Sequence, residues 1–302
     1  MSSSPLGQRI VAVKPIAVAA PGRSVDLQVK VTAPLSGHDL PVIVFSHGNA
    51  WSLDGYEPLV DRWAAAGFIV VQPTHLDSRR NGIGWDDPRF ATIWRVRIAD
   101  LHAVLDGLGD ILLQAGDLAT RVDRERIAVV GHSWGAQTAG AILGARVLDA
   151  DGVPGEGFSH PGVSAGALIA ATGTGDTLTP FAAEHLPFMR PDYSTMTTPA
   201  LVVAGGKDRS QLSTRGPEWF TDAYHLSPSP KTLLTIAEGE HTLGGIAGEM
   251  VAETTDEDPA RVALVADAVS AYLLDAFELD GAAWADLGAA APGDGAWSIT
   301  GR

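Results

Sequence analysis

The sequence predicts an α/β protein with a mainly parallel central sheet, helices on both of its faces and no large cap domain. Short continuous apolar runs alternate with longer segments of helical periodicity, the pattern of strands buried on both faces and joined by crossover helices. The 302 residues are 45% hydrophobic, enough for one sizeable core. The 34 Gly and 19 Pro follow no fixed period. They therefore mark turns between short elements rather than a collagen-like or low-complexity chain.

The elements follow in order. Residues 10–18 and 25–32 alternate apolar with polar side chains and are expected as antiparallel edge strands. Residues 41–45, Pro-Val-Ile-Val-Phe, read as a buried strand. A helix over 57–66 is stopped by Gly67, and 68–71 is the next strand. Ile98, Leu101, Val104, Leu105, Leu108 and Leu112 recur at helical spacing, so one amphipathic helix is expected across 94–114. Strand 127–130, a helix over 136–148, strands 167–170, 200–203 and 232–236, and a closing helix over 259–277 complete the alternation. Segments 74–90 and 173–198 exceed the usual connection length and are rich in Gly, Pro, Asp and aromatic residues, so they are expected walls or lids of a site. No linker divides the chain. Residues 1–302 read as a single domain, with its core at about 25–277 and a carboxyl-terminal tail over 278–302, parts of which are expected to dock through Trp284 and Trp297 while the rest frays.

Lys plus Arg total 21 against 36 Asp plus Glu, a formal charge of −15 whose field repels phosphate backbones. Nucleic acid is not an expected partner. The absence of cysteine removes disulfides, thiolate metal sites and thiol nucleophiles together. Arg9 and Lys14 interrupt any signal-peptide core, and no run of about eighteen apolar residues occurs. The expectation is a cytoplasmic protein without a membrane span, monomeric or homodimeric.

The chemistry is carried by Gly131-His132-Ser133-Trp134-Gly135, a G-x-S-x-G pentapeptide between strand 127–130 and the following helix. In that context the glycines permit a sharp turn that lifts the Ser133 hydroxyl above the sheet edge, and the helix start aims N–H groups at a developing oxyanion. A serine hydroxyl needs a histidine base and a carboxylate to orient it, both later in the chain for this motif. Asp208 follows strand 200–203, and His241 follows strand 232–236. Asp176 also follows a strand and is the competing acid. Of the nine histidines, His38, His102, His160 and His185 lack a strand-end setting, His225 lies in a helical run, and His75 precedes Ser133 and fits a site wall. Ser46-His47-Gly48-Asn49-Ala50-Trp51 lies where the other half of an oxyanion hole is needed. Its donors are assigned to the N–H of Asn49, with Ala50 as the alternative, and of Trp134. His47 is then a hydrogen-bonding post for its loop, and His132 merely fills the variable position.

On Ser46-His47-Gly48, the stretch 97–108 with Asp100 and Asp106, the pentapeptide, Asp208 and His241, the chain resembles the α/β-hydrolase superfamily over about residues 25–277. Within it, the chain is similar to the compact branch of dienelactone-hydrolase-like esterases, chlorophyllases, platelet-activating-factor acetylhydrolases and cutinase-like polyester hydrolases. It departs from true dienelactone hydrolases, whose nucleophile is cysteine. The resemblance implies an α/β-hydrolase fold and a Ser133–His241–Asp208 triad acting on a small-molecule carboxylic ester through an acyl-enzyme. Acyl transfer to another acceptor, or amide cleavage, is the alternative on the same triad. No cofactor or metal is required, and no Zn-type His/Glu spacing is present. Trp51, Trp85, Phe90, Phe181 and Phe188 are candidate pocket walls.

Overall fold

The computed structural model describes residues 8–20, 23, 25–84, 87–248 and 255–302. Strand β1 (Ile10–Val18) pairs antiparallel with β2 (Leu27–Pro34), followed by β3 (Leu40–Ser46), α1 (Glu57–Ala65) and β4 (Ile69–Pro73). Then come α2 (Ile93–Asp106), α3 (Leu108–Gln114), β5 (Val122–His132) and α4 (Trp134–Ile142). Short β6 (Arg146–Val147) pairs with β8 (Pro191–Asp192), on either side of β7 (Ala165–Ile169) and α5 (Pro180–His185). The chain closes with β9 (Ala200–Gly205), α6 (Asp222–Leu226), β10 (Lys231–Ile236), α7 (Pro259–Ala276), α8 (Ala282–Ala289) and β11 (Trp297–Gly301).

Nine strands form one sheet in the order β1-β2-β4-β3-β5-β7-β9-β10-β11. The six central strands from β4 to β10 run parallel, while β1, β2 and β11 are antiparallel at the edges. Strands β3, β4, β7 and β9 are buried along their whole length. Their apolar side chains separate into two cores, one on each face: Val42, Val44 and Val71 join α2 and α3, whereas Ile43, Phe45 and Val70 join α1 and α7. This is the α/β-hydrolase architecture with helices on both faces and no large cap among the described residues.

Three boundaries differ from the sequence expectation. The amphipathic stretch 94–114 breaks into α2 and α3 at Gly107, whose φ of −88° and ψ of 6° depart from helical values and whose position would put a Cβ 2.8 Å from the Ala103 carbonyl. The helix after Ser133 ends at Ile142, ahead of Gly144 with its φ of +112°. The segment 278–302 docks at Trp284 and Trp297 as expected, but it forms α8 and β11 where fraying is expected. Trp284 of α8 packs edge-on to Tyr272, and β11 extends the sheet by pairing with β10.

Candidate active site

The parallel strands all deliver their carboxyl ends to one sheet edge, the place where an open α/β sheet presents its site. At the end of β5, Ser133 adopts φ 57° and ψ −122°, a conformation that costs a non-glycine residue of order 1–3 kcal/mol. The flanking glycines are sterically required. A Cβ on Gly131 would lie 2.1 Å from the Gly135 oxygen, and one on Gly135 would lie 1.9 Å from the Ser46 oxygen. The turn is therefore pressed between α4 and the end of β3.

Asp208 and His241 reach Ser133 on the turns after β9 and β10, which approach so closely that a Cβ on Gly205 would meet the Gly239 oxygen at 2.2 Å. His241 Nε2 lies 2.9 Å from Ser133 Oγ, and His241 Nδ1 donates to Asp208 at 2.9 and 3.2 Å. Asp208 is fully buried while the His241 side chain is 41% exposed, so the chain runs from a dry carboxylate to an accessible imidazole. Asp256 braces the histidine turn by accepting from the Glu240 and Gly244 N–H groups and the Thr242 hydroxyl. The competing acid, Asp176, instead accepts from Thr174 beside Asp222 and Arg215, and makes no bond to His241.

The Ser46–Trp51 loop lies against this turn: a Cβ on Gly48 would be 3.6 Å from Ser133 Cβ. The Ala50 N–H is taken by the Asp77 carboxylate at 3.3 Å, and Asp77 also receives the Asn49 side-chain amide at 3.1 Å. The Ala50 N–H is thus engaged by Asp77, which favours the Asn49 backbone N–H as the candidate donor of the loop. Trp134 is the first residue of α4, where N–H groups point out of the helix start.

Two buried networks hold the loop. In the first, Arg97 grips Asp77 through two contacts of 2.7 and 2.8 Å and donates to the His47 carbonyl. Burial alone would raise the Asp77 carboxyl, but the adjacent Arg97 charge outweighs it and holds the group below its ordinary value. His47 donates Nδ1–H to the Gly48 carbonyl at 2.7 Å and accepts the His75 N–H at Nε2, the expected post. Burial, with Arg97 nearby, holds its imidazole down to about 4, so it is neutral at pH 7. Beside it, Ser46 Oγ is 2.9 Å from His75 Nε2, whose Nδ1 is 2.9 Å from Asp100, itself clamped by Arg23 at 2.8 and 2.9 Å.

The second network corrects the reading of His132 as a filler. The Gly48 N–H donates to Tyr56 Oη at 3.1 Å, Tyr56 donates to His132 Nδ1 at 2.8 Å, and His132 Nε2 donates to the His241 carbonyl at 2.8 Å. One buried chain thus links the oxyanion loop to the histidine turn. Burial and the neighbouring His241 hold His132 down to about 3, which keeps Nδ1 free to accept. No local pattern signals this, since Tyr56, His132 and His241 are far apart along the chain and meet only through the fold.

Of the aromatic candidates, Phe90 and Phe188 flank Trp134 at ring-centroid distances of 6.0 and 5.7 Å and belong to an apolar cluster with Leu76 and Leu186. Trp51 packs edge-on to Tyr56 at 6.0 Å. Phe181 is 52% exposed on α5 and stacks on His185. Trp85 lies outside the described residues. A cleft of about 510 Å³ is lined by Gly206, Lys207, Arg209, Glu240 and His241, so His241 is the triad residue on its wall. A larger groove of about 730 Å³ lies elsewhere, along α2, and its lining contains no triad residue.

A strand-to-helix serine turn, a histidine and an aspartate on successive strand ends, and a glycine loop beside the serine define the α/β-hydrolase class. The chlorophyllase family model matches residues 6–148, which span the glycine loop, the serine turn and α4. That family is a member of the α/β-hydrolase superfamily, so the match agrees with the fold described above and with a chlorophyllase-like branch of it. No curated protein matches the chain. No helix among the described residues is long and apolar enough to cross a membrane.

Proposed function

We propose that the chain is a serine hydrolase that cleaves carboxylic esters through an acyl-enzyme. The observation that carries this reading is the continuous line Ser133 Oγ–His241 Nε2 and His241 Nδ1–Asp208, with 2.9 Å at both links and the exposed end at the serine turn. His241 takes the Ser133 proton as Oγ attacks the ester carbonyl, and Asp208 holds the imidazole in the tautomer that presents Nε2 and stabilises its charged form. The oxyanion forms opposite the Asn49 and Trp134 N–H groups, each donor of this kind contributing about 3–4 kcal/mol to the transition state. Collapse expels the alcohol, protonated by His241. His241 then draws a proton from water, which attacks the acyl carbon and releases the acid.

Arg97, Asp77 and Tyr56 are positioning residues, since they fix the Gly48–Ala50 backbone on which one oxyanion donor depends. The cluster of Phe90, Trp134 and Phe188 beside the nucleophile favours an apolar group on the substrate. Esters of small to medium size suit a site without a large cap.

The test is hydrolysis of p-nitrophenyl esters from acetate to laurate by the wild type and by Ser133→Ala, Asp208→Asn and His241→Ala. All three variants are expected to collapse. Release of p-nitrophenol with the acyl group partitioning mainly to an added alcohol would reassign the chain to acyl transfer, and faster cleavage of matched anilides would make it an amidase. A wild type inert on every substrate overturns the reading.

A further inference from the structure

On the far side of α2 from Asp77, the fold gathers three side chains that the ester chemistry does not use. His102 and Asp106 stand one turn apart on α2, and His160 arrives from the segment between β6 and β7. One donor atom from each lies within 4.8 Å of the other two. His160 Nε2 is already 3.1 Å from Asp106 Oδ1, about the separation of neighbouring donors around an ion with ligand bonds of ~2 Å. We propose that His102, Asp106 and His160 form a binding site for a divalent transition-metal ion.

The surroundings are organised for that task. His102 donates Nε2–H to the Phe158 carbonyl at 3.0 Å, which fixes the tautomer and leaves the Nδ1 lone pair for an ion. Backbone carbonyls commonly serve metal-binding imidazoles in this way. Phe158 is itself anchored, edge-on to Trp94 at 5.9 Å, with the Arg95 guanidinium over the Trp94 ring. His160 and His102 are half-buried while Asp106 is exposed, so the imidazoles are held and the carboxylate is free to swing inward. The remaining coordination positions go to water, because His102, Asp106 and Phe158 line the groove of about 730 Å³ beside α2. Two imidazoles and one carboxylate select Zn²⁺, Co²⁺, Ni²⁺ or Cu²⁺ over Mg²⁺ and Ca²⁺.

Binding has one local cost. Gly162 N–H donates to His160 Nδ1 at 3.1 Å, which places the ring proton on Nε2. An ion at Nε2 moves that proton to Nδ1, and the half-exposed Gly162 N–H turns to water. In return, the ion pins the β6–β7 segment to α2 across 54 residues of sequence.

The site is tested by titrating the metal-free, full-length protein with Zn²⁺ and with Co²⁺ by calorimetry, with excess Mg²⁺ present as competitor. One ion per chain at micromolar affinity or tighter is expected, with a higher Tm in the presence of the metal. His102→Ala and His160→Ala each weaken binding more than roughly tenfold, and Asp106→Asn, an exposed change that leaves folding intact, weakens it by a similar factor. Affinity weaker than millimolar, or affinity unchanged in all three variants, overturns the proposal. The Ser133→Ala variant binds the ion like the wild type, so the outcome is independent of the ester reading.

Discussion

The molecule contains two Ser–His–Asp chains with nearly the same internal distances. Ser133–His241–Asp208 and Ser46–His75–Asp100 each show 2.9 Å from serine oxygen to Nε2 and 2.9 Å from Nδ1 to a carboxylate oxygen. They differ in everything else. Ser46 ends β3 and is fully buried, as are His75 and Asp100, whereas Ser133 is half-buried on a strained turn and His241 is substantially exposed. Burial and the neighbouring Arg97 depress His75 well below the usual imidazole range, which disfavours the protonated state that a general base passes through. The comparison teaches that the hydrogen-bond line alone does not make a nucleophile. Access, a turn that projects the hydroxyl and donors for the oxyanion complete it. The buried copy supports the loop on which one of those donors sits.

The largest expected effect separates the two serines. Ser133→Ala is expected to lower kcat/KM for p-nitrophenyl butyrate by roughly 10⁴-fold or more, while Ser46→Ala costs less than about tenfold; comparable losses in both would break the distinction. Next come the acids. Asp208→Asn should reduce kcat by about 10⁴-fold through the wrong imidazole tautomer, against no more than about twofold for Asp176→Asn, measured in the same assay. A smaller change tests the link between loops. Tyr56→Phe removes the hydroxyl shared by Gly48 and His132, and is expected to lower kcat by about tenfold with KM little changed. The orphaned buried partners should also reduce unfolding stability by roughly 1–3 kcal/mol. An unaltered kcat would show that the Tyr56–His132 chain does not tune the site.

The smallest effect per step is on stability against pH. His47 and His132 are held down to about 4 and about 3 by burial. Between those values and the ordinary value near 6.5, the unfolded chain binds protons that the folded one refuses, so stability must fall as the pH is lowered through that window. Each histidine contributes a slope of at most about 1.4 kcal/mol per pH unit. Urea midpoints at pH 7.5, 5.5 and 4.5 should decrease in that order. The buried Asp100 carboxyl, raised to about 7 mainly by burial, opposes this trend in the same window, and buried His75 adds to it, so a midpoint that rises as the pH is lowered would contradict the exclusion of these imidazoles from protonation.

Much of the site was legible because its signals are local. The G-x-S-x-G turn needs only the backbone of residues 131–135, and the placement of Asp208 and His241 follows from buried strands that read as apolar runs. The supporting shell was not legible. Arg97 sits on an amphipathic helix like any polar-face residue, and only the packing of α2 against the sheet buries it beside Asp77. His132, Tyr56 and the His102–Asp106–His160 cluster are likewise assembled by contacts across 54 to 109 residues of sequence. The end of the chain was legible only in part, its two tryptophans marking where it docks but not the strand it forms. Residues 278–302 are rich in Ala and Gly and lack a long apolar run, yet β11 needs only backbone pairing with β10 to join the sheet.

The most direct measurement is covalent labelling with a fluorophosphonate followed by peptide mass mapping. One adduct per chain is expected, on Ser133, absent from Ser133→Ala and unaffected by Ser46→Ala. An adduct on Ser46 or any other serine, or no adduct on a folded wild-type protein, would contradict it.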